Sequence, residues 1–149
     1  MTDVRFYHLQ KKKLEEALPD LLSKILERGH RVVIKASSPE RLRALDDSLW
    51  TYKTDSFLPH GSAKDGFESE QPVWLTTADE NPNGAKVLIL TEGSETAEQG
   101  YDICCDLFDG SDDVALSQAR LRWKAHIAAG LNPIYFQQDD QGRWEKKKI

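Results

Sequence analysis

Arg120, Trp123, Lys124 and Ile127 fall at i, i+3, i+4 and i+7, so on a helix two cations and a large aromatic share one stripe, with Leu116 one turn earlier. The chemistry open to such a stripe is capture of an anion that carries an apolar group. Arginine and lysine can hold a carboxylate by charge-assisted hydrogen bonds while the indole face and aliphatic side chains cover a hydrophobic group. A second reading needs no ligand. Basic residues near a helix C-terminus complement its dipole, and a tryptophan on an amphipathic helix can simply be core. The residues alone leave both readings standing.

A second grouping lies between Leu49 and Gly61, where Trp50, Tyr52, Phe57 and Leu58 crowd a segment that Pro59 and its polar neighbours keep from continuing as a helix. Trp50 and Phe57 fit core plugs at the end of a helix, and they equally fit anchors for a partner, since Trp and Tyr are favoured in buried interface centres. His60 can cap or hydrogen-bond nearby backbone, and nothing gives it a proton to move.

No other set of residues forms a reactive constellation. A nucleotide-binding α/β protein presents glycines after its first strand, but here His8-Leu9 runs into Gln10-Lys11-Lys12-Lys13. His8, His30, His60 and His126 have no metal-ligand spacing with one another or with Cys104 and Cys105. Asp46-Asp47 and Asp139-Asp140 read as solvated helix and turn carboxylates, and a Gly-x-Ser-x-Gly nucleophile turn is absent. The reading is therefore non-catalytic, with no cofactor.

Composition fits that reading. The chain has 149 residues, enough for one domain spanning 1–149, with 30% charged and 39% hydrophobic residues. No apolar run approaches the roughly 20 residues of a membrane helix, and the opening passes directly into a strand pattern without signal-peptide features, so a cytoplasmic address is expected. The net charge of −5 argues against coating DNA by electrostatics alone. The basic triplets Lys11–Lys13 and Lys146–Lys148 read as solvated surface. Cys104 and Cys105, adjacent in an apolar run, read as buried reduced thiols.

The elements that must position these residues follow from periodicity. Val4 to Leu9 alternates as a strand, and Leu14, Ala17, Leu18, Leu21, Leu22, Ile25 and Leu26 recur as a helix that stops at Arg28-Gly29. Pro19 interrupts it early, as a first-turn residue or a kink. His30 to Ala36 is a strand; Ser38 caps, and Pro39 opens, a helix to about Leu49 or Trp50. Pro72 to Thr77, Lys86 to Leu90 and Tyr101 to Phe108 are strands. Ser111-Asp112-Asp113 caps a long helix to Gly130, and Pro133 to Gln138 pairs with Arg143 to Lys147 across Asp139 to Gly142. Strand and helix alternating at these separations imply right-handed crossovers and parallel strands, hence an α/β fold.

Read in order, Val4-Arg5-Phe6-Tyr7, Arg31 to Ile34, Leu49-Trp50, Ser56-Phe57-Leu58-Pro59-His60, Pro72-Val73, Asn81 to Ala85 and Ala119-Arg120 through Trp123-Lys124 to Gly130 resemble the chi subunit of bacterial DNA polymerase III holoenzyme, a clamp-loader accessory family. The resemblance runs over essentially the whole chain. It implies a three-layer α/β/α single domain with a mainly parallel central sheet, similar to nucleotide-binding folds but lacking the phosphate loop. It implies no enzymatic activity and two protein partners, with DNA reached only indirectly. One partner is the psi subunit of the clamp loader, on the side of Trp50 and Phe57. The other is the acidic, phenylalanine-ending C-terminal tail of single-stranded DNA-binding protein, on Arg120, Trp123 and Lys124, with Phe108 as a wall of the tail pocket. Trp123 stands where many relatives carry tyrosine, and Leu116 where some place a lysine. Two other classes stay open: a small nucleotide-dependent enzyme, and a direct binder of single-stranded DNA, which needs an extended basic and aromatic groove.

Overall fold

The protein is described by a computed structural model covering residues 3–10, 13–51, 61–62, 66–67, 69–94, 100–141 and 143–147; the side chains of residues 50 and 51 are not described. These residues form β1 (Asp3–Leu9), α1 (Leu14–Glu27), β2 (Val32–Lys35), α2 (Pro39–Thr51), β3 (Val73–Thr76), β4 (Val87–Thr91), β5 (Ile103–Asp109), α3 (Asp113–Ala128), β6 (Ile134–Gln138) and β7 (Trp144–Lys147). One sheet in the order β3-β2-β4-β5-β1-β6-β7 carries them all. Every pairing is parallel except that of β6 with β7.

The crossovers explain the layers. From β1 the chain steps through α1 and α2 toward the β3 edge, whereas β5 reaches β6 by crossing over β1 in the opposite direction. Because such crossovers are right-handed, the reversal of direction places α3 on the opposite face from α1 and α2. The core follows this division. Leu14, Leu18, Leu22, Leu45 and Leu49 pack with Tyr7, Ile34 and Leu107 on one side. Ala119 of α3 packs with Val4, Phe6 and Phe108 on the other. Strand alternation sends consecutive residues to opposite layers, so Phe6 and Tyr7 part company, as do Cys104 and Cys105. Both cysteines are buried free thiols, and burial pushes the Cys105 thiol up to about 12. The central strands β2 and β4 are covered on both faces and read as near-continuous apolar runs for that reason.

The helix ends behave as their residue types dictate. Ser38 Oγ accepts from Arg41 N at 3.2 Å, and the Asp112 carboxylate accepts from Val114 N and Ala115 N at 2.9 and 3.2 Å. Pro19 lies within α1, past its first turn, and is buried. It cannot donate to the Glu15 carbonyl, which instead receives Ser48 Oγ of α2 at 3.5 Å. The β6–β7 connection is held by Asp139, whose Oδ1 accepts from Gln141 N and Arg143 N at 2.8 and 2.9 Å. One reading is corrected: Asp46 is fully buried inside α2 rather than solvated, while Asp47 beside it is exposed. Helical period explains the split, since adjacent residues point about 100° apart and Asp46 falls on the inner side with Leu45 and Leu49.

Candidate peptide-binding cleft on the third helix

One helix cannot cover the whole end of the sheet formed by β5, β1, β6 and β7. α3 packs on β5 and leaves a cleft of about 540 Å³ between its own flank and the strands beyond. Phe6, Phe108 and Tyr135 supply apolar surface there, Leu116, Ala119 and Trp123 face them from α3, and Gln137 with the charged residues Arg120, Lys124 and Lys147 adds the polar part of the lining. Residues 116, 119, 120, 123 and 124 are i, i+3, i+4, i+7 and i+8, the set one helix face presents. Trp123 is half-buried and meets Phe6 edge-on at 5.3 Å and Tyr135 edge-on at 5.9 Å. It is at once part of the core and a wall of the cleft, so the two readings of its stripe are compatible. Arg120 and Lys124 are exposed and form no ion pair among the described residues.

Two arrangements fix this geometry. Arg122, on the same helix, donates from Nε to Asp106 Oδ2 at 2.6 Å and from Nη2 to Oδ1 at 3.1 Å, a two-point contact with a carboxylate that is nearly fully buried in β5. It pins the rotation and height of α3 over the sheet. Next to two of the cleft's aromatic walls, His8 Nδ1 hydrogen-bonds the Tyr135 hydroxyl, and its ring lies 5.2 Å from that of Phe108. Gly110 makes room for this ring: a Cβ there would sit 1.7 Å from His8 Nε2. Burial, followed by the positive charge of Arg120, holds the His8 imidazole below its usual range against the opposing pull of Asp109. Burial also raises the Tyr135 phenol, with Arg120 opposing.

Of the residues singled out in the sequence, Phe108, Arg120, Trp123 and Lys124 meet in this cleft, with Leu116. Ile127 does not; it is half-exposed, and His126 takes the contact with Phe6 at 5.8 Å. Trp50 lies in the last turn of α2, with its side chain outside the description, and Phe57 and His60 lie outside the described residues. Phe6, Tyr135, Gln137 and Lys147 were not anticipated. Lys146 and Lys147 are exposed, as the solvated-surface reading has it, and β7 pairs antiparallel with β6 so that Lys147 stands opposite Tyr135, which carries it to the rim of the cleft. Its ammonium also pairs with Glu145 at 3.1 Å.

The other place where an α/β fold binds ligands is the crevice at the carboxyl ends of its strands. Here that crevice, about 310 Å³, is lined by Leu9, Lys13, Glu15, Arg41, Glu92 and Asp109 among others. Arg41 spans it, donating from Nη2 to Glu15 at 2.6 Å and from Nε to Glu92 at 2.7 Å. Burial opposes the ionised form of Glu15, but the Arg41 bond and charge hold its carboxyl below the usual range. Three carboxylates at this point disfavour a phosphate. Among the described residues no cluster of His, Cys, Asp and Glu can hold a metal ion, and no helix is long and apolar enough to cross a membrane.

Comparison with known proteins agrees on one family. The chain is 30% identical over 98 residues to a protein of Rickettsia prowazekii (strain Madrid E) named "Probable DNA polymerase III subunit chi", a match covering 66% of this chain and 59% of that protein, less than two thirds of its length. It is 24% identical over 121 residues to the DNA polymerase III subunit chi of Escherichia coli (strain K12), covering 80% of this chain and 82% of the relative. A family model described as DNA polymerase III chi subunit, HolC, matches residues 1–133, and the chain belongs to that family.

Proposed function

We propose that this chain is a non-catalytic replication adaptor that captures the acidic, phenylalanine-ending C-terminal tail of single-stranded DNA-binding protein in the α3 cleft and docks the psi subunit of the clamp loader near Trp50 and Phe57. The observation that carries the first half is the convergence in one cleft of two exposed cations that form no ion pair among the described residues with an aromatic wall built from Phe6, Phe108, Trp123 and Tyr135. The terminal phenylalanine ring enters among Phe6, Phe108, Trp123 and Tyr135. Burying such a side chain contributes about 1.5–3 kcal/mol. Its α-carboxylate and the preceding acidic side chains lie along Arg120, Lys124 and Lys147, where each hydrogen bond to a charged group adds about 1.5–3 kcal/mol before ordering costs. Trp123 keeps the aromatic face that a tyrosine offers in relatives, without the hydroxyl. The psi half rests on family membership and on the grouping of large apolar residues after α2.

Titration calorimetry with a synthetic acidic peptide ending in phenylalanine tests the cleft. Wild type binds, Arg120→Ala plus Lys124→Ala weakens binding by about tenfold or more, and rising salt weakens the wild-type affinity toward that of the variant. Binding unchanged by the double substitution refutes the site. Co-purification with psi, lost on Trp50→Ala plus Phe57→Ala, tests the second half. An adaptor of this kind leaves a labelled oligonucleotide unshifted unless the single-stranded DNA-binding protein is present; a shift by the chain alone favours the direct DNA binder.

A further inference from the structure

The end of the sheet that α3 leaves uncovered is uncovered on its other face too. Beside the C-terminal half of α1 a cleft of about 320 Å³ opens over β1, β5, β6 and β7. Its aromatic surface is the alternate set of the residues that build the first cleft. Phe6 and Tyr135 face α3, while their chain neighbours Tyr7 and Phe136 face α1 and stack with centroids 5.1 Å apart and planes 11° from parallel. Trp144 of β7 meets Tyr7 edge-on at 5.0 Å, and its indole N–H has no acceptor among the described residues.

The charge of this second cleft has one sign. The cations Arg5, Lys24 and Arg28 line it, and among the described residues no Asp or Glu does, on a chain whose net charge is −5. Arg5 is engaged by Asp3 at 3.0 Å, but Lys24 and Arg28 are exposed and form no ion pair among the described residues. Burial raises both the Tyr7 phenol and the Cys105 thiol of the lining, so neither contributes a negative charge. Lys24 and Arg28 also complement the α1 dipole, but that role does not account for the aromatic surface and Arg5 converging on the same space.

We propose that this cleft is a second peptide site, taking an acidic segment that bears an aromatic side chain, so that one chain holds two such segments on opposite faces of its sheet. The exposed ammonium and guanidinium of Lys24 and Arg28, one turn apart, receive the carboxylates. Phe136 and Trp144 receive the ring, and the indole N–H donates to a peptide carbonyl. Single-strand nucleic acid is the weaker match, because its binders run a groove along about four or more nucleotides and this cleft is short.

The site stands or falls independently of the α3 cleft, and one titration series separates them. The acidic, phenylalanine-ending peptide is titrated into the full chain by calorimetry, with thermal unfolding as a control that each variant is folded. Wild type binds two peptides per chain. Lys24→Ala plus Arg28→Ala leaves one, Arg120→Ala plus Lys124→Ala leaves the other, and Trp144→Phe weakens only the site that Lys24 and Arg28 serve. A single peptide whose affinity ignores Lys24→Ala plus Arg28→Ala overturns the second site and leaves the α3 cleft intact. A single peptide lost with Lys24 and Arg28 but indifferent to Arg120 and Lys124 supports the second site and overturns the first. Labelled oligothymidylate that binds through Lys24 and Arg28 and displaces no peptide overturns the proposal in favour of nucleic acid.

Discussion

The strand-end crevice and the α3 cleft each carry an arginine beside apolar walls, and they differ in where that arginine finds its counter-charge. In the strand-end crevice Arg41 is spent internally, bridging Glu15 and Glu92 at 2.6 and 2.7 Å. In the α3 cleft Arg120 and Lys124 form no ion pair among the described residues and line the same space as Phe6, Phe108 and Tyr135. The first arrangement ties α1 and α2 to the loop after β4; the second leaves positive charge for a ligand to neutralise. An α/β frame thus keeps its crevice but spans it with its own ion pairs, and carries exposed positive charge at a face that a single helix leaves partly bare on a wide sheet.

The contrast can be broken by substitution, the largest effect coming from beneath the cleft rather than within it. Arg122→Ala deprives the buried Asp106 carboxylate of its guanidinium and is expected to destabilise by about 3–5 kcal/mol, read in denaturant unfolding. Tail binding falls with it, because α3 loses its fixed register. Gly110→Ala forces a methyl group into the His8 ring and costs about 1–3 kcal/mol by overpacking. His8→Ala in the same chain recovers much of that loss if the ring is the cause. Arg41→Ala separates the two depressions: partly exposed ion pairs contribute about 0.2–1 kcal/mol, so stability drops slightly and peptide affinity stays unchanged. Arg120→Ala plus Lys124→Ala gives the mirror result, with stability within about 0.5 kcal/mol of wild type and peptide affinity at the α3 cleft weakened about tenfold or more.

The pH dependence sharpens the same point. His8 is held below its ordinary value of 6.5, so its contribution to stability is complete above 6.5 and is lost as pH falls below it, toward the lower folded value where the imidazole finally charges. Unfolding curves of His8→Gln should be flatter than those of wild type across that acid window. Equal slopes contradict the placement of His8 against Arg120 and Phe108.

How much of this was legible in the sequence depended on whether the relation was local. The α3 stripe was visible because Leu116, Arg120, Trp123 and Lys124 recur at helical spacing, and the caps Ser38 and Asp112 were visible because their chemistry acts within three residues. The alternation of β1 and the apolar run of β5 marked them as strands. The facing residues Tyr135 and Lys147 were not visible, since they reach the cleft only through the position of β6 beside β1 and the register of β7 on β6. They also lie past residue 133, where the family match ends. Asp46 was misjudged because a carboxylate in a polar run is ordinarily solvated, and only packing of α2 on the sheet buries it. His8 and Gly110 meet across the ends of β1 and β5, a proximity that no spacing rule encodes.

The most direct test of the central claim is amide and indole chemical-shift mapping of the full chain during titration with the acidic, phenylalanine-ending peptide. The account predicts perturbations at the Trp123 indole N–H and along Leu116 to Lys124 and Tyr135, with Glu15, Arg41 and Glu92 unmoved. Perturbations centred on Glu15, Arg41 and Glu92 with a silent α3 would contradict it.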